Sequence, residues 1–523
     1  MTSFRNLLAV LVLLSVASTT RAQDFGDFGK EFDKFRDEAE AAYESFREQC
    51  NAEYAQFLKE AWEAFNSMPG APRPKDQERL PQTIVNKLKD AGHNATEAST
   101  TPRKDAQVPV SEVIAAPKTA SAGRRPQPIG DLQITDNPMN DPEAEKPVSE
   151  QVKGFHSFQF YGTQMTVRTP KKKLMLSDTN GETIAEAWKT CSTAKKTKRQ
   201  YNELLSDCLW LRDKYHLCDW AYLQMLQTMT ESYLGEGNAA VFLMAYLYCQ
   251  SGYQMRMAEA KGRLVMLYAS EHGIYEHSFF NIDGQHFYPY GQKESLGRIS
   301  ICNHGFPKEQ AMSLLVPEEP LFDSQKPQIR KIQSQEFPDV AIQVSVNRNL
   351  LDFFDTYPSS NLNNNFLTRW AMYANTPLDE DVKEQIYPML RKSLQGLSER
   401  DAVCRLLSLI QSGIVYQYDE DIWGYDRPFF AEETLFYPYA DCEDRSILFS
   451  RLVRDLLGLK AVLIYYPNHL ASAVCFNEVV TGDYVQLGKD RYMICDPTNY
   501  VAAPGVTMEG MDNSLAKVIM LEN

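Results

Sequence analysis

Residues 69–150 hold twelve of the chain's 27 prolines and not one Phe, Trp or Tyr. A stretch with so little to bury cannot assemble a core, so these 82 residues read as a disordered tether that divides the chain. Before it lies a single stripe. Phe25, Phe28, Phe32, Phe35, Ala39, Ala42, Phe46, Cys50, Tyr54, Phe57, Ala61, Phe65 and Met68 recur at a mean step of about 3.6 residues. That period predicts one long amphipathic helix over residues 23–68. Its outer face carries twelve Asp/Glu against five Lys/Arg, the wrong sign for a helix lying on anionic lipid. The stripe is therefore expected to pack on a partner helix, in a homo-oligomer, or on the protein's own body.

Residues 1–22 have the form of a secretory signal peptide. Arg5 supplies the positive start, Leu7 to Ala17 a short apolar run, and Thr20-Arg21-Ala22 a cleavage site before Gln23. A periplasmic or secreted protein is the expectation. No later stretch approaches the roughly 20 apolar residues of a transmembrane helix. The formal net charge of −15 argues against nucleic acid as a partner. Ten cysteines occur without a CxxC pair, and several lie in apolar helical runs, so most read as buried free thiols.

Beyond the tether the pattern is α+β, and 523 residues are enough for about two to four domains. Residues 151–291 read as one α/β unit. It opens on FHSFQFYGTQMTVRT, a strand pair, continues through helical ETIAEAWKTC, YNELLSDCLWLRDKYHLCDWAYLQMLQTM and NAAVFLMAYLYCQSG, and closes on strand RLVMLYAS and a hairpin about Asp283-Gly284. Residues 292–350 are a β-rich connecting segment. Residues 351–523 form the last unit, with helices through ERDAVCRLLSLIQSGIVY and 443–457 on either side of an aromatic loop at 418–440, then strands LKAVLIYY, HLASAVCF, DYVQL and RYMICD.

The chemistry concentrates in that last unit. Cys442 stands at the start of a helix that ends at Gly458, where the helix dipole favours a thiolate. His469 is the unit's one histidine, 27 residues on at a strand start, and Asp496 lies a further 27 residues on at a strand end. If those strands are antiparallel neighbours, His469 lies opposite Asp496 and Cys475 opposite residue 490, out of disulfide reach of Cys495. A thiol, an imidazole and a carboxylate in that order are the parts of nucleophilic attack on an amide.

This constellation resembles the core of the transglutaminase-like superfamily, and Asp441-Cys442-Glu443-Asp444 is similar to the DCED motif of its bacterial cysteine peptidases. The likeness covers about residues 400–500. It implies a papain/transglutaminase-like C-terminal domain with Cys442 as nucleophile, His469 as base and Asp496 as orienting acid, and, at Asp441, Glu443 and Asp444, calcium ligands. Capping of the helix N-terminus is the plainer reading of those three acids. Without a cation, from calcium or from Arg445, they would raise the thiol's pKa. Trp423 is a candidate oxyanion donor beside the backbone N–H of Cys442. The whole chain also resembles exported proteins of Bacteroidota that carry a long N-terminal helix.

Aligning Gly252 with Gly458 superimposes the two units as helix, strand, strand, hairpin. Two readings follow, an unrelated α/β unit with ordinary periodicity or a degenerate second copy of the domain, the latter with Glu236 at the place of Cys442, Arg263 at that of His469 and Tyr290 near that of Asp496. In such a copy Glu236 and Arg263 should form an ion pair. Three functions follow: a cysteine peptidase or amidase acting on protein or peptide through a thioester, a protein-cross-linking transglutaminase, or a non-catalytic adhesion or assembly scaffold that kept the fold.

Overall fold

The computed structural model describes residues 25–73, 104–115, 125–129, 154–292 and 294–522, so the signal-peptide reading of residues 1–22 lies outside the described residues. The fold is α+β, two antiparallel-cored sheets each backed by helices. No described helix is long and apolar enough to cross a membrane.

The N-terminal helix is shorter than its stripe predicts. It spans Phe25–Glu60, and Trp62–Asn66 then forms an edge strand paired with Arg298–Cys302. Phe65 and Met68 continue the 3.6-residue rhythm by coincidence. Phe65 packs against the core of the sheet, and Met68 bridges Phe279. The buried face is also displaced from the stripe. Arg47, Cys50, Asn51, Tyr54, Ala55 and Leu58 are buried, whereas Phe46 and Phe57 remain exposed. Tyr54 fits between Trp188 and Phe306, at 4.6 and 4.8 Å between ring centroids. Asn51 accepts from the Trp188 indole N–H at 2.9 Å and from Gln250 at 3.1 Å. The second half of the helix thus docks on this protein's own body.

The tether is likewise not featureless. Ala106–Gln107 pairs parallel with Asp483–Leu487, and Glu112–Ile114 pairs parallel with Lys517–Met520. These are opposite edges of one seven-stranded sheet. Val108 N–H bonds Tyr484 O, and only three residues on Ser111 N–H bonds Ala516 O. Three residue steps reach at most about 11 Å. Seven flat strands would separate the edges by almost 30 Å at ~4.8 Å per strand. The sheet therefore curls until its edges face each other, and the 104–115 segment closes it.

Both units share one connectivity. In the first, helix Asn238–Gln250 leads to hairpin Met255–Ala260/Arg263–Ala269, hairpin Phe280–Ile282/Gln285–Pro289 and a return strand, Arg298–Cys302. In the second, helix Cys442–Leu457 leads to Lys460–Tyr466/His469–Cys475, Asp483–Leu487/Asp490–Cys495 and Lys517–Met520. In each sheet the return strand lies beside the first strand of the leading hairpin, and the fourth strand sits between the second and third. Even the register agrees: Ala260 faces Arg263 as Tyr466 faces His469, each across a two-residue turn. The expected ion pair is absent, however. Glu236 and Arg263 are both exposed and form no salt bridge among the described residues, as expected of solvated charges. Tyr290 N–H bonds Met266 O, the counterpart of Ser472 paired with Cys495, so Gly291 rather than Tyr290 falls at the place of Asp496. The helical run predicted across residues 201–229 divides into Lys198–Lys214 and Asp219–Leu234, where His216 takes a left-handed φ of 49°.

Candidate active site

Helix Cys442–Leu457 packs on the inner strands Lys460–Tyr466 and His469–Cys475 of the curled sheet and ends on Gly458 at φ 65°. Ser446 Oγ donates to Leu470 O, and Ser472 Oγ donates to Ser446 O, locking the helix to the histidine strand. That lock brings Leu470 N–H to 3.4 Å from Cys442 Sγ. His469, the preceding residue, lines the same cleft as Cys442, a cavity of about 280 Å³.

His469 and Asp496 meet. Nε2 lies 2.8 Å from Asp496 Oδ2, and both residues are 2% exposed. Oδ1 of Asp496 accepts from the backbone N–H groups of Thr498 (2.9 Å) and Asn499 (3.2 Å). Gln411 holds the following loop by donating to the carbonyls of Asp496, Asn499 and Ala502. The register differs from the expectation by two residues: Ser472 faces Cys495 and Cys475 faces Tyr492. The pair still forms because Asp496 lies just beyond the strand, where its carboxylate is free to turn toward the imidazole. A carboxylate accepts only, so Nε2 carries the proton in this pair. Nδ1, buried and without a partner, is left as an acceptor. All ten cysteines are free thiols.

Cys442 itself donates to Glu443 Oε2 at 3.1 Å, not to His469. Its pKa is pushed well above the ordinary thiol value, first by burial, then by Glu443 and Asp441. The helix dipole opposes this with about 0.3–1 kcal/mol. A single like charge at 4.8 Å contributes about 3.5 kcal/mol at an effective dielectric of about 20. The carboxylates win.

They are more numerous than the motif alone shows. Ligand atoms of Asp441, Cys442 and Glu443 lie within 4.8 Å of one another, as do those of Asp419, Asp441 and Asp444, and of Asp419, Asp426 and Glu443. Asp441 is raised well above the carboxylate range by burial, then by Asp419 and Asp444; Asp419 and Asp444 are raised in the same way. Asp444 is part cap: it accepts from Asp441 N–H at 3.4 Å and from Phe429 N–H at 2.8 Å. Asp441 Oδ1, by contrast, is buried without a partner. Arg445 does not neutralise the group by direct contact. Its guanidinium donates to the carbonyls of Ala440, Pro497 and Ile414, and burial lowers its pKa to about 10. A buried set of hard oxygen donors with one oxygen unsatisfied fits a calcium-like cation.

Trp423 does not line the cleft around Cys442. Its ring packs on Phe429 and Tyr437 under the Arg427 guanidinium. The cleft is lined instead by Trp370, whose buried Nε1–H has no partner. Asp419, Asp426 and Trp370 carried no signal of this kind in the sequence, beyond an acidic run in the aromatic 418–440 loop. No family model matches the chain, and neither a curated protein nor a solved structure is significantly similar to it.

Proposed function

We propose that this protein is an exported cysteine hydrolase of transglutaminase-like type, a peptidase or amidase working through a thioester acyl-enzyme. The carrying observation is His469: Asp496 fixes one ring nitrogen, and the other is an unpartnered acceptor in the cleft of Cys442. In this reading Nδ1 takes the thiol proton, and Sγ attacks the amide carbonyl to give a tetrahedral oxyanion. The backbone N–H of Cys442 and the indole N–H of Trp370 are the donors proposed to meet that oxyanion. Collapse gives the thioester, with the proton passing from Nδ1 to the departing amine. Water then surrenders a proton to the same nitrogen and attacks the thioester, releasing the acid and the free thiol.

Asp419, Asp426, Asp441 and Glu443, with Asp444 behind them, would hold a calcium ion, whose charge offsets the carboxylates and returns the thiol toward its ordinary pKa. A scaffold without turnover is the second reading, favoured by the bond from Sγ–H to Glu443 in place of His469. Iodoacetamide labelling with calcium present separates the two. Cys442 should alkylate at least tenfold faster than the other nine thiols, and His469→Ala should remove that advantage. Labelling no faster than a buried thiol, with or without His469, removes the enzyme.

A further inference from the structure

The Cys442 cleft is not isolated. It shares Arg73, Glu276, Tyr425 and Asp426 with a second cavity of about 670 Å³, which opens between the two units. That volume is within the ordinary range of ligand pockets, about 300–1,000 Å³. Its walls are aromatic on both sides: Trp220, Tyr268 and Tyr290 from the first unit, Tyr357, Tyr373 and Tyr425 from the second. The first unit, which has no Cys-His-Asp set at the matching positions, thus supplies one wall of a chamber that leads to the catalytic unit's cysteine.

The hydrogen-bonding groups of the chamber are lopsided. Several of its acceptors are engaged. Gln224 Oε1 takes the Tyr161 hydroxyl and Gln227 Oε1 the Tyr290 hydroxyl. Asp355 and Glu433 hold Arg427, Glu276 holds Arg73, and Asp426 meets Arg369. Donors remain. Arg73 Nε and Arg427 Nη1 are buried without partners, although Arg427 also bonds Tyr437. The Ser359 hydroxyl, which can accept as well as donate, is unpartnered too, and all three residues line the chamber. Buried polar atoms in native folds are normally paired, so this set is incomplete by itself.

Aromatic walls with free donors and paired charges select a neutral ligand rich in acceptors. Peptide carbonyls meet that description, and an aromatic side chain fills the remaining surface by ring packing. A saccharide fits less well, because its many hydroxyls need acceptors as well as donors, and each carboxylate of the chamber already faces an arginine, which leaves the Ser359 hydroxyl as the unpartnered acceptor. Resting on the acyl-transfer reading of Cys442, we infer that the chamber between the units binds an uncharged polypeptide segment bearing an aromatic residue. It holds that segment while the neighbouring amide enters the cysteine cleft. The first unit serves as the recognition wall.

The test uses the full chain with Cys442→Ala, so that binding is read without turnover. A random dodecapeptide library is selected on the immobilised protein, and the enriched peptides are measured by fluorescence polarisation. Enriched sequences should share an aromatic residue. Trp220→Ala and Tyr290→Ala should each weaken Kd at least tenfold, and Trp220→Phe and Tyr290→Phe should stay within about threefold. Thermal melts followed by circular dichroism identify any alanine variant that misfolds, and the phenylalanine pair then decides. Enrichment without aromatics, alanine variants that bind undiminished, or neutral oligosaccharides bound through Trp220 and Tyr290 would each overturn the inference. Iodoacetamide labelling of the unsubstituted protein keeps the two readings apart. Peptides bound through Trp220 beside an unreactive Cys442 leave the chamber standing and remove the enzyme. A reactive Cys442 with no peptide selected does the reverse.

Discussion

Replacing Asp441 by Asn should stabilise the protein in the absence of divalent cations and abolish its stabilisation by calcium. Asp441 has ligand atoms within 4.8 Å of Asp419 and Asp444 in one group and of Glu443 in another. Each ionised neighbour at that distance repels it by about 3.5 kcal/mol at an effective dielectric of about 20. Protonation offers an escape, at about 1.4 kcal/mol for each pH unit above the ordinary value near 3.9, or about 4 kcal/mol at pH 7. The penalty on the wild-type fold is therefore bounded near 4 kcal/mol, and Asn, equal in shape and as good an N-cap, relieves about 2–4 kcal/mol of it. The pH dependence has a definite sign. Because the folded-state pKa of Asp441 is raised, the folded state retains a proton that the unfolded chain releases. The penalty is thus absent below about pH 4 and grows as pH rises. Urea unfolding followed by tryptophan fluorescence, in EGTA and in excess calcium at pH 4.5 and 7.5, measures it. Equal midpoints for wild type and Asp441→Asn in EGTA at pH 7.5 would refute the electrostatic argument. A wild type indifferent to calcium would refute the cation site.

Asp496→Asn should slow any amide turnover by about 10³–10⁴, since the amide no longer stabilises an imidazolium; a turnover rate within tenfold of wild type would show that Asp496 does not orient His469. Arg445→Met should lower stability by about 3–5 kcal/mol, because three buried carbonyls lose their donor at once; a urea midpoint near that of wild type would contradict it. Asn51→Ala leaves the Trp188 indole and the Gln250 amide short of a partner inside a buried network, at about 2–4 kcal/mol. Its signature is faster proteolytic clipping within Phe25–Glu60, and unchanged clipping would mean that the network does not hold the helix.

The cysteine helix and the four strands after it were legible because each has a period or a stop, whereas helix Glu380–Leu394 and strand Lys517–Met520 of the same unit did not stand out from the sequence. Gly458 ends the cysteine helix, and Pro467-Asn468 turns one strand into the next, with Asn468 at φ 69°. His469 and Asp496 were legible as chemistry because few other residues of their type open or close a strand there. Asp419 and Asp426 were not, because only the fold of the 418–440 loop brings them over the helix N-terminus. The 104–115 edge strands were invisible for another reason. Their attachment is largely backbone to backbone, and such pairing leaves no side-chain rhythm to read. The helix end at Glu60 was hidden by Phe65, which serves a strand while keeping helical spacing.

That short closing segment has a consequence for how the C-terminal sheet can fail. An open sheet exposes two independent edges, each a template for stray pairing. Here Val108 and Ser111 fasten both from one piece of chain, with Pro109 and Val110 as the whole span between them. The piece works as a hoop does on a cask: one nick at Pro109-Val110 would leave each half holding one edge and cut the chain that ties the edges together, so that the apolar core inside the curl carries the closure.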